Sequence, residues 1–151
     1  MSERPSPPPR DAYPYHLPIQ TRWMDNDVYG HVNNVVYYAY FDTVINRWLI
    51  DEGGLDIHGG PIIGLCVESM CRYLSPVAYP TPLEAGLRVA LLGRSSVRYE
   101  IGVFRSDSGE PLALGHFVHV FVDRAGRRAT PIPDRLRAAL QRLTTTSPVI
   151  P

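Results

Sequence analysis

The sequence predicts an α+β protein in which an antiparallel sheet wraps around one long, mostly buried helix. Three observations support this fold class. An apolar stretch of helical length follows an acidic loop at Asp25 and Asp27, four segments with strand-like alternation follow that stretch, and the loops between these segments are short. Consecutive strands with short connections form antiparallel sheets, and a helix that is apolar on most sides packs against such a sheet.

The length and charge of the chain limit its class. A chain of 151 residues corresponds to one ordinary domain with a substantial core. The 15 basic and 15 acidic residues balance, which argues against nucleic acid or a membrane surface as a partner attracted by net charge. The N-terminal segment lacks the apolar core of a signal peptide, and no apolar run has the length of a transmembrane helix. We therefore predict a cytoplasmic protein with neither partner.

The ends of the chain differ in composition from its middle. Residues 1–18 are rich in proline and lack periodicity, which predicts a flexible or extended tail. The folded domain is predicted over residues 19–143, and residues 144–151 are predicted to form a second tail. Within the domain, a short strand from Ile19 to about Met24 leads to the acidic loop.

The central helix is predicted to begin at Asn33 or Asn34, because asparagine is a favoured N-cap residue. Glycines at positions 53 and 54 mark its end. Aromatic and β-branched residues are indifferent helix formers, so this helix depends on tertiary packing. Its apolar residues form a stripe wider than that of an ordinary amphipathic helix: Val35, Val36, Tyr37, Tyr38, Ala39, Tyr40, Phe41, Val44, Ile45, Trp48, Leu49 and Ile50.

The second half of the chain has the pattern of strands. The predicted strands run from Ile62 to about Leu74, from Leu83 to Leu92, from Val97 to Arg105 and from Leu112 to Val122. A short helix is predicted from Pro133 and Asp134 through about Leu143. Because the last strand is apolar at nearly every position, we expect both faces of the sheet to be covered. This predicts a homodimer or a homotetramer formed through the sheet.

The stretch DNDVYGHVNNVVYYAYFDT resembles the acidic-loop signature of the hotdog-fold acyl-CoA thioesterases related to 4-hydroxybenzoyl-CoA thioesterase. The likeness continues through CRYLSPVAYPTPLEAGLRVALLGRSSVRYEIGVF and GHFVHVFVDRAGRRATPIPDRLRAAL, and covers nearly everything between Ile19 and Leu143. The resemblance implies the hotdog fold, a sheet wrapped around a central helix, and hydrolysis of an acyl-CoA. It is more specific for the fold than for the substrate.

The resemblance also implies roles for individual residues. The second aspartate of the D-x-D pair, which is Asp27 here, corresponds to the catalytic carboxylate of the family. The backbone amide of Asn34 corresponds to the donor to the oxyanion. The G-R-S-S turn corresponds to a region that contacts coenzyme A, which implicates Arg94, Ser95 and Ser96.

Physical chemistry supports these roles independently. Thioester hydrolysis needs a base or nucleophile for the acyl carbon and a donor for the oxygen that becomes negative. A helix N-terminus near Asn33 supplies unpaired amides and partial positive charge. Thiolate is a good leaving group, so we expect no metal and no cofactor beyond the coenzyme A of the substrate. His31 is a candidate to orient the loop or contact the thioester. Asn33 and Tyr37 are candidates to bind the substrate, Tyr37 as part of the acyl pocket.

Each candidate has a purely structural alternative. Asp27 is otherwise an ordinary loop or capping residue, and Asp25 is expected to be structural. His31 is otherwise a packed loop histidine, Arg94 a solvated turn residue, and Tyr37 a core or interface residue.

The sequence also offers two further carboxylates for the site and two alternative functions. Asp42 and Glu68 are alternatives for a second acidic group. A non-catalytic acyl-CoA-binding module would keep the groove without turnover. A hotdog dehydratase or hydratase would use a histidine with a carboxylate on the helix, and the D-N-D-V-Y-G-H pattern before the helix argues against that branch.

Overall fold

The computed structural model describes residues 6–144 and shows one antiparallel sheet with a long helix packed on it. This confirms the predicted α+β class and the hotdog arrangement of sheet and helix. The elements are β1 (Tyr15–Ile19), α1 (Val36–Asp51), β2 (Ile62–Tyr73), β3 (Leu83–Leu92), β4 (Ser96–Arg105), β5 (Pro111–Asp123) and α2 (Asp134–Gln141). Within the described part of the chain, no helix combines the length and the apolar character needed to cross a membrane.

The sheet has five strands in the order β1-β3-β4-β5-β2, so β1 and β2 form its edges. The register defines its two ends. At one end Tyr73 of β2 lies opposite Ala113 of β5, which in turn lies opposite Val103 of β4. At the other end Val120 of β5 lies opposite Ser96 of β4. The end of β2 and the start of β4 are therefore at opposite ends of the sheet.

The core lies between α1 and the inner face of the sheet. Phe41, Val44 and Ile45 of α1 are completely buried. The helix packs tightly on β5 at Gly115, where an added Cβ would lie 2.4 Å from the Phe41 ring. A residue without a side chain is required there, because this contact sets the distance between helix and sheet.

The prediction of a first strand from Ile19 to Met24 is wrong. The strand β1 lies earlier, and residues Trp23–Asp25 form a 3₁₀ turn. The proline-rich composition concealed this strand, yet Pro18 is tolerated because β1 is an edge strand. The folded part of the chain thus begins before residue 19, and the predicted tail of residues 1–18 was too long. Residues 1–5 and 145–151, which include most of the second predicted tail, lie outside the described residues.

The helix α1 begins at Val36, so the predicted start at Asn33 or Asn34 is also wrong. Asn33 caps a turn instead of the helix. Its side-chain oxygen accepts a hydrogen bond from the Val35 amide at 3.1 Å, and its carbonyl accepts one from the Val36 amide at 2.9 Å. This local bonding competes with helical geometry and delays the helix by about one turn. The predicted strands after the helix agree with the structure to within one residue at each end.

Candidate functional site

A cleft of about 500 Å³ opens between the acidic loop, the start of α1 and the end of β2. Four of the predicted site residues line it, namely Asp27, His31, Asn34 and Tyr37. The opposite wall includes Tyr73, the last residue of β2. The structure therefore places the predicted carboxylate and the predicted amide donor on one cleft.

Asp27 is the first residue of a tight turn. Its carbonyl accepts a hydrogen bond from the Gly30 amide at 3.0 Å, and its Oδ1 accepts one from the Tyr29 amide at 2.9 Å. Gly30 has a φ of 86°, a conformation that favours glycine. The second carboxylate oxygen of Asp27 has no hydrogen bond among residues 6–144. One oxygen thus fixes the side chain, while the other has no protein partner within the described residues.

Asp25 fastens the acidic loop to the helix. Its carboxylate is completely buried and accepts hydrogen bonds from the Tyr40 hydroxyl at 2.7 Å and the Arg22 amide at 2.9 Å. Its carbonyl accepts a hydrogen bond from the Asn33 amide at 2.8 Å. Burial raises the pKa of Asp25, but the hydrogen bonds from Tyr40 and Arg22 outweigh burial, so that this pKa lies below its usual range. Asp25 is a structural residue, as the sequence indicated.

Asp25→Asn is expected to destabilise the fold by about 1–3 kcal/mol at neutral pH, because an amide places a donor against the donors that surround the carboxylate. The folded pKa of Asp25 lies below its unfolded value, so the ionised carboxylate contributes fully above pH about 4, and this contribution is lost as the pH falls through the folded pKa. Urea unfolding at several pH values should therefore show the difference between the wild type and the variant narrowing below pH about 4.

Arg22→Ala is the matched control for this experiment. The Arg22 side chain is 69% exposed, so its ion pair with Asp25 is screened by solvent and contributes little. We expect Arg22→Ala to lower the free energy of unfolding much less than Asp25→Asn does, since the backbone amide of residue 22 still donates to the Asp25 carboxylate. An equal difference between the wild type and Asp25→Asn at pH 3 and pH 7 would contradict the assigned role.

The turn before α1 presents the Asn34 amide. The peptide unit between Asn33 and Asn34 is held because the Asn33 carbonyl accepts the hydrogen bond from Val36. The N–H of the same unit belongs to Asn34, and it points away from the helix because the two groups of a planar trans peptide are antiparallel. This amide has no hydrogen-bond partner among the residues that the structure describes. It is a free donor at the positive end of a helix dipole.

The remaining predicted residues near the cleft differ in how far they are buried and in whether they line it: Tyr37, His31 and Asn33. The Tyr37 ring is buried and meets the ring of Tyr73 edge-on at 5.3 Å. Burial and the neighbouring Cys71 raise the pKa of Tyr37 to about 12, so its hydroxyl stays protonated at neutral pH. His31 is exposed, and its carbonyl accepts a hydrogen bond from the Asp27 amide at 2.9 Å. Asn33 shapes the turn and does not line the cleft.

The predicted coenzyme A contacts Arg94, Ser95 and Ser96 lie elsewhere in the protomer. Seven steps along β4 separate Ser96 from Val103, which places the G-R-S-S turn about 23 Å along the sheet from the end that carries the cleft. Arg137 of α2 holds this turn by donating to the Arg94 carbonyl at 3.0 Å. These residues do not meet the cleft within one protomer.

Neither alternative carboxylate lines the cleft. Asp42 accepts a hydrogen bond from Asn46 at 3.0 Å, and burial raises the pKa of its side chain. Glu68 pairs with His116 across the sheet, with 2.8 Å between their Oε2 and Nε2 atoms. Over residues 6–144, no cluster of three or more histidine, cysteine, aspartate or glutamate side chains is placed to hold a metal ion.

Nothing in the sequence singles out Tyr73 as a site residue. Its hydroxyl donates a hydrogen bond of 2.7 Å to the Asn34 carbonyl, across 39 positions of the chain. In the sequence Tyr73 is only the last aromatic residue of a strand, and nothing local marks it as part of the site.

Comparison with solved structures finds the same fold in other proteins. The PA5185 protein of Pseudomonas aeruginosa strain PAO1 is 55% identical with a TM-score of 0.91, and the alignment covers 93% of this chain and 99% of that one. A thioesterase of Thermus thermophilus, crystallised with coenzyme A and Zn, is 29% identical over 85% of this chain and 98% of its own, with a TM-score of 0.72.

A more distant structure shares the fold alone. The 1,4-dihydroxy-2-naphthoyl-CoA thioesterase of Synechocystis is 17% identical with a TM-score of 0.77, over 84% of this chain and 95% of its own. A comparison with curated protein sequences found no match. The profile of the thioesterase-like superfamily matches residues 21–140, which include both the acidic loop and α1. The chain therefore belongs to the thioesterase-like superfamily.

Proposed function

We propose that this protein hydrolyses the thioester bond of an acyl-CoA, releasing the free acid and coenzyme A. The observation that carries this proposal is the shared cleft of Asp27 and the unbonded amide of Asn34. A carboxylate with one unengaged oxygen and a fixed peptide donor are the two groups that acyl transfer from sulfur requires. The superfamily membership supports the same chemistry.

In the proposed reaction, the thioester carbonyl lies with its oxygen toward the Asn34 amide. As base, Asp27 takes a proton from water while the water oxygen attacks the carbonyl carbon, and the Asn34 amide stabilises the negative oxygen of the tetrahedral intermediate. The intermediate then collapses, the carbon–sulfur bond breaks, and the thiolate of coenzyme A leaves with the bonding electrons. The thiolate takes up the proton that Asp27 holds, which restores the carboxylate.

As nucleophile, Asp27 would instead attack the carbonyl carbon and expel the thiolate, forming a mixed anhydride that water then cleaves. Rapid quenching of a single turnover distinguishes these routes. Recovery of acyl-labelled protein, or incorporation of ¹⁸O from labelled water into the Asp27 side chain, identifies the nucleophilic route.

The substrate contacts extend beyond the cleft in this proposal. Tyr37 forms part of the acyl wall, and His31 lies at the mouth of the cleft. Arg94, Ser95 and Ser96 bind the phosphates of coenzyme A from a second subunit, since they lie at the opposite end of the sheet from their own cleft. The proposal therefore includes a homodimer or homotetramer in which the turn of one protomer approaches the cleft of its partner.

Arg94→Ala is expected to raise KM for acyl-CoA by about 10- to 100-fold with little change in kcat, because a charge-assisted hydrogen bond to phosphate stabilises substrate and transition state alike. The control substrate is the same acyl group on N-acetylcysteamine, which carries the thioester without the nucleotide. Its kcat/KM should be equal for the wild type and the variant. An equal loss of kcat/KM on both substrates would show that Arg94 does not bind the phosphates of coenzyme A.

Thiol release from a panel of short, aromatic and long-chain acyl-CoAs tests the proposed activity directly. Release above the rate without protein supports hydrolysis, and the preferred acyl group identifies the substrate class. Tight binding without release would instead identify a non-catalytic acyl-CoA-binding module. The dehydratase alternative is disfavoured because α1 carries no histidine.

A further inference from the structure

The hydroxyl of Tyr73 joins the two walls of the cleft. It lies at the end of the edge strand β2, and it donates a 2.7 Å hydrogen bond to the Asn34 carbonyl in the turn before α1. The Tyr73 ring contacts the buried Tyr37 ring edge-on, which fixes the direction of the hydroxyl. A single side chain thus connects the sheet to the turn that presents the proposed oxyanion donor.

We propose that Tyr73 is a positioning residue for that donor, an inference that rests on the proposed function. Two peptide units flank the α-carbon of Asn34. The first carries the Asn34 N–H and is fixed by the bond between the Asn33 carbonyl and Val36. The second carries the Asn34 carbonyl, and the Tyr73 hydroxyl fixes it. Rotation at Asn34 would change the direction of its N–H, and the two bonds together restrict that rotation.

The other contacts of the turn do not replace this bond. The Asn33 amide donates to the Asp25 carbonyl, which holds the turn from the side of the acidic loop. The Val35 amide donates to the Asn33 side chain, a bond within the turn itself. Only Tyr73 holds it from the side of the sheet, among the hydrogen bonds found over residues 6–144. A donor held in place before the reaction costs no reorganisation when the oxyanion forms, so its effect appears in the transition state.

Tyr73→Phe removes the hydroxyl and keeps the ring, so it isolates the effect of the hydroxyl. Phenylalanine retains the edge-on contact with Tyr37 and the shape of the cleft wall. We expect kcat on the best acyl-CoA to fall by about three- to tenfold, the effect of one hydrogen bond, with KM unchanged. Affinity for the corresponding acyl-CoA thioether, which cannot be hydrolysed, should also be unchanged. Tyr79→Phe is the matched control, since its ring packs against Trp23 outside the cleft and kcat should stay at the wild-type value.

A second measurement does not depend on activity. Asn34 and Val35 form the only Asn-Val pair in the sequence. Protein labelled with ¹³C at asparagine carbonyls and ¹⁵N at valine therefore gives a single cross-peak that connects the Asn34 carbonyl to the Val35 amide. Loss of the hydrogen bond in Tyr73→Phe should move this carbonyl resonance upfield, while Tyr79→Phe should leave it in place.

The outcomes are distinct. A lower kcat with constant thioether affinity and a displaced carbonyl resonance supports the positioning role. An unchanged carbonyl resonance in Tyr73→Phe would show that the hydrogen bond between Tyr73 and Asn34 is absent. An unchanged kcat, in a protein that hydrolyses acyl-CoA, would show that this bond does not contribute to catalysis. A parallel loss of kcat and thioether affinity would show that Tyr73 binds the substrate directly, which also overturns the inference. Absence of thiol release from the wild type would refute the proposed function itself, whatever the resonance shows.

Discussion

Asp27→Asn is expected to lower kcat for acyl-CoA hydrolysis by about 10²- to 10⁴-fold, the usual effect of removing a positioned base. Asparagine keeps an oxygen that can accept the hydrogen bond from the Tyr29 amide, so the turn and the cleft should persist. The lost group is the ionised oxygen that has no partner within the described residues. If Asp27 is the nucleophile, the loss should reach the upper end of this range or exceed it, since the amide cannot form the anhydride.

The measurement is steady-state thiol release together with thermal unfolding of both proteins. Asp56→Asn provides a closely matched control, because Asp56 also uses Oδ1 to hold a turn, accepting hydrogen bonds from His58 at 3.1 Å and Gly59 at 3.0 Å. Asp56 does not line the cleft, so its variant should retain the wild-type kcat. Turnover by Asp27→Asn within threefold of the wild type would refute the assignment of Asp27.

The second large effect concerns stability. Gly115→Ala is expected to destabilise the fold by about 1–3 kcal/mol or more, because the new methyl group overpacks the contact between α1 and the sheet. Its Cβ would lie 2.1 Å from the Met70 carbonyl oxygen and 2.4 Å from the Phe41 ring. The first neighbour is backbone of the adjacent strand and cannot move as a side chain can. Either β2 and β5 separate or the helix shifts, and both responses weaken the core.

Urea unfolding followed by circular dichroism measures this loss of stability. We expect the midpoint urea concentration to fall, while the dependence of the unfolding free energy on urea concentration stays the same. Gly59→Ala is the control, because the nearest atom to its added Cβ is a side-chain oxygen of Asp56 at 3.2 Å, which can move. Its unfolding midpoint should stay close to that of the wild type. If Gly115→Ala were as stable as Gly59→Ala, the close approach of helix and sheet at this position would be wrong.

The long periodic segments were predictable from sequence. The strand Leu83–Leu92 lies where its alternation predicted, and α1 contains the wide apolar stripe that indicated burial. These patterns indicate which side chains are buried on folding. Burial of apolar side chains is the largest favourable contribution to the free energy of folding. The first strand was missed because Tyr15–Ile19 is short and contains a proline, and its place depends on pairing with Leu83–Leu87 far along the chain.

The sequence by itself determined the α+β class, the order of the central elements, and the placement of Asp27 and Asn34 in the segment that leads into α1, because these depend on residues close together in the chain. Only the tertiary structure decided that Tyr73 meets the Asn34 carbonyl and that Arg94 lies at the other end of the sheet from the cleft. The physical reason is long-range strand pairing: β2 pairs with β5 and not with the next strand along the chain, and this pairing depends on packing between distant segments.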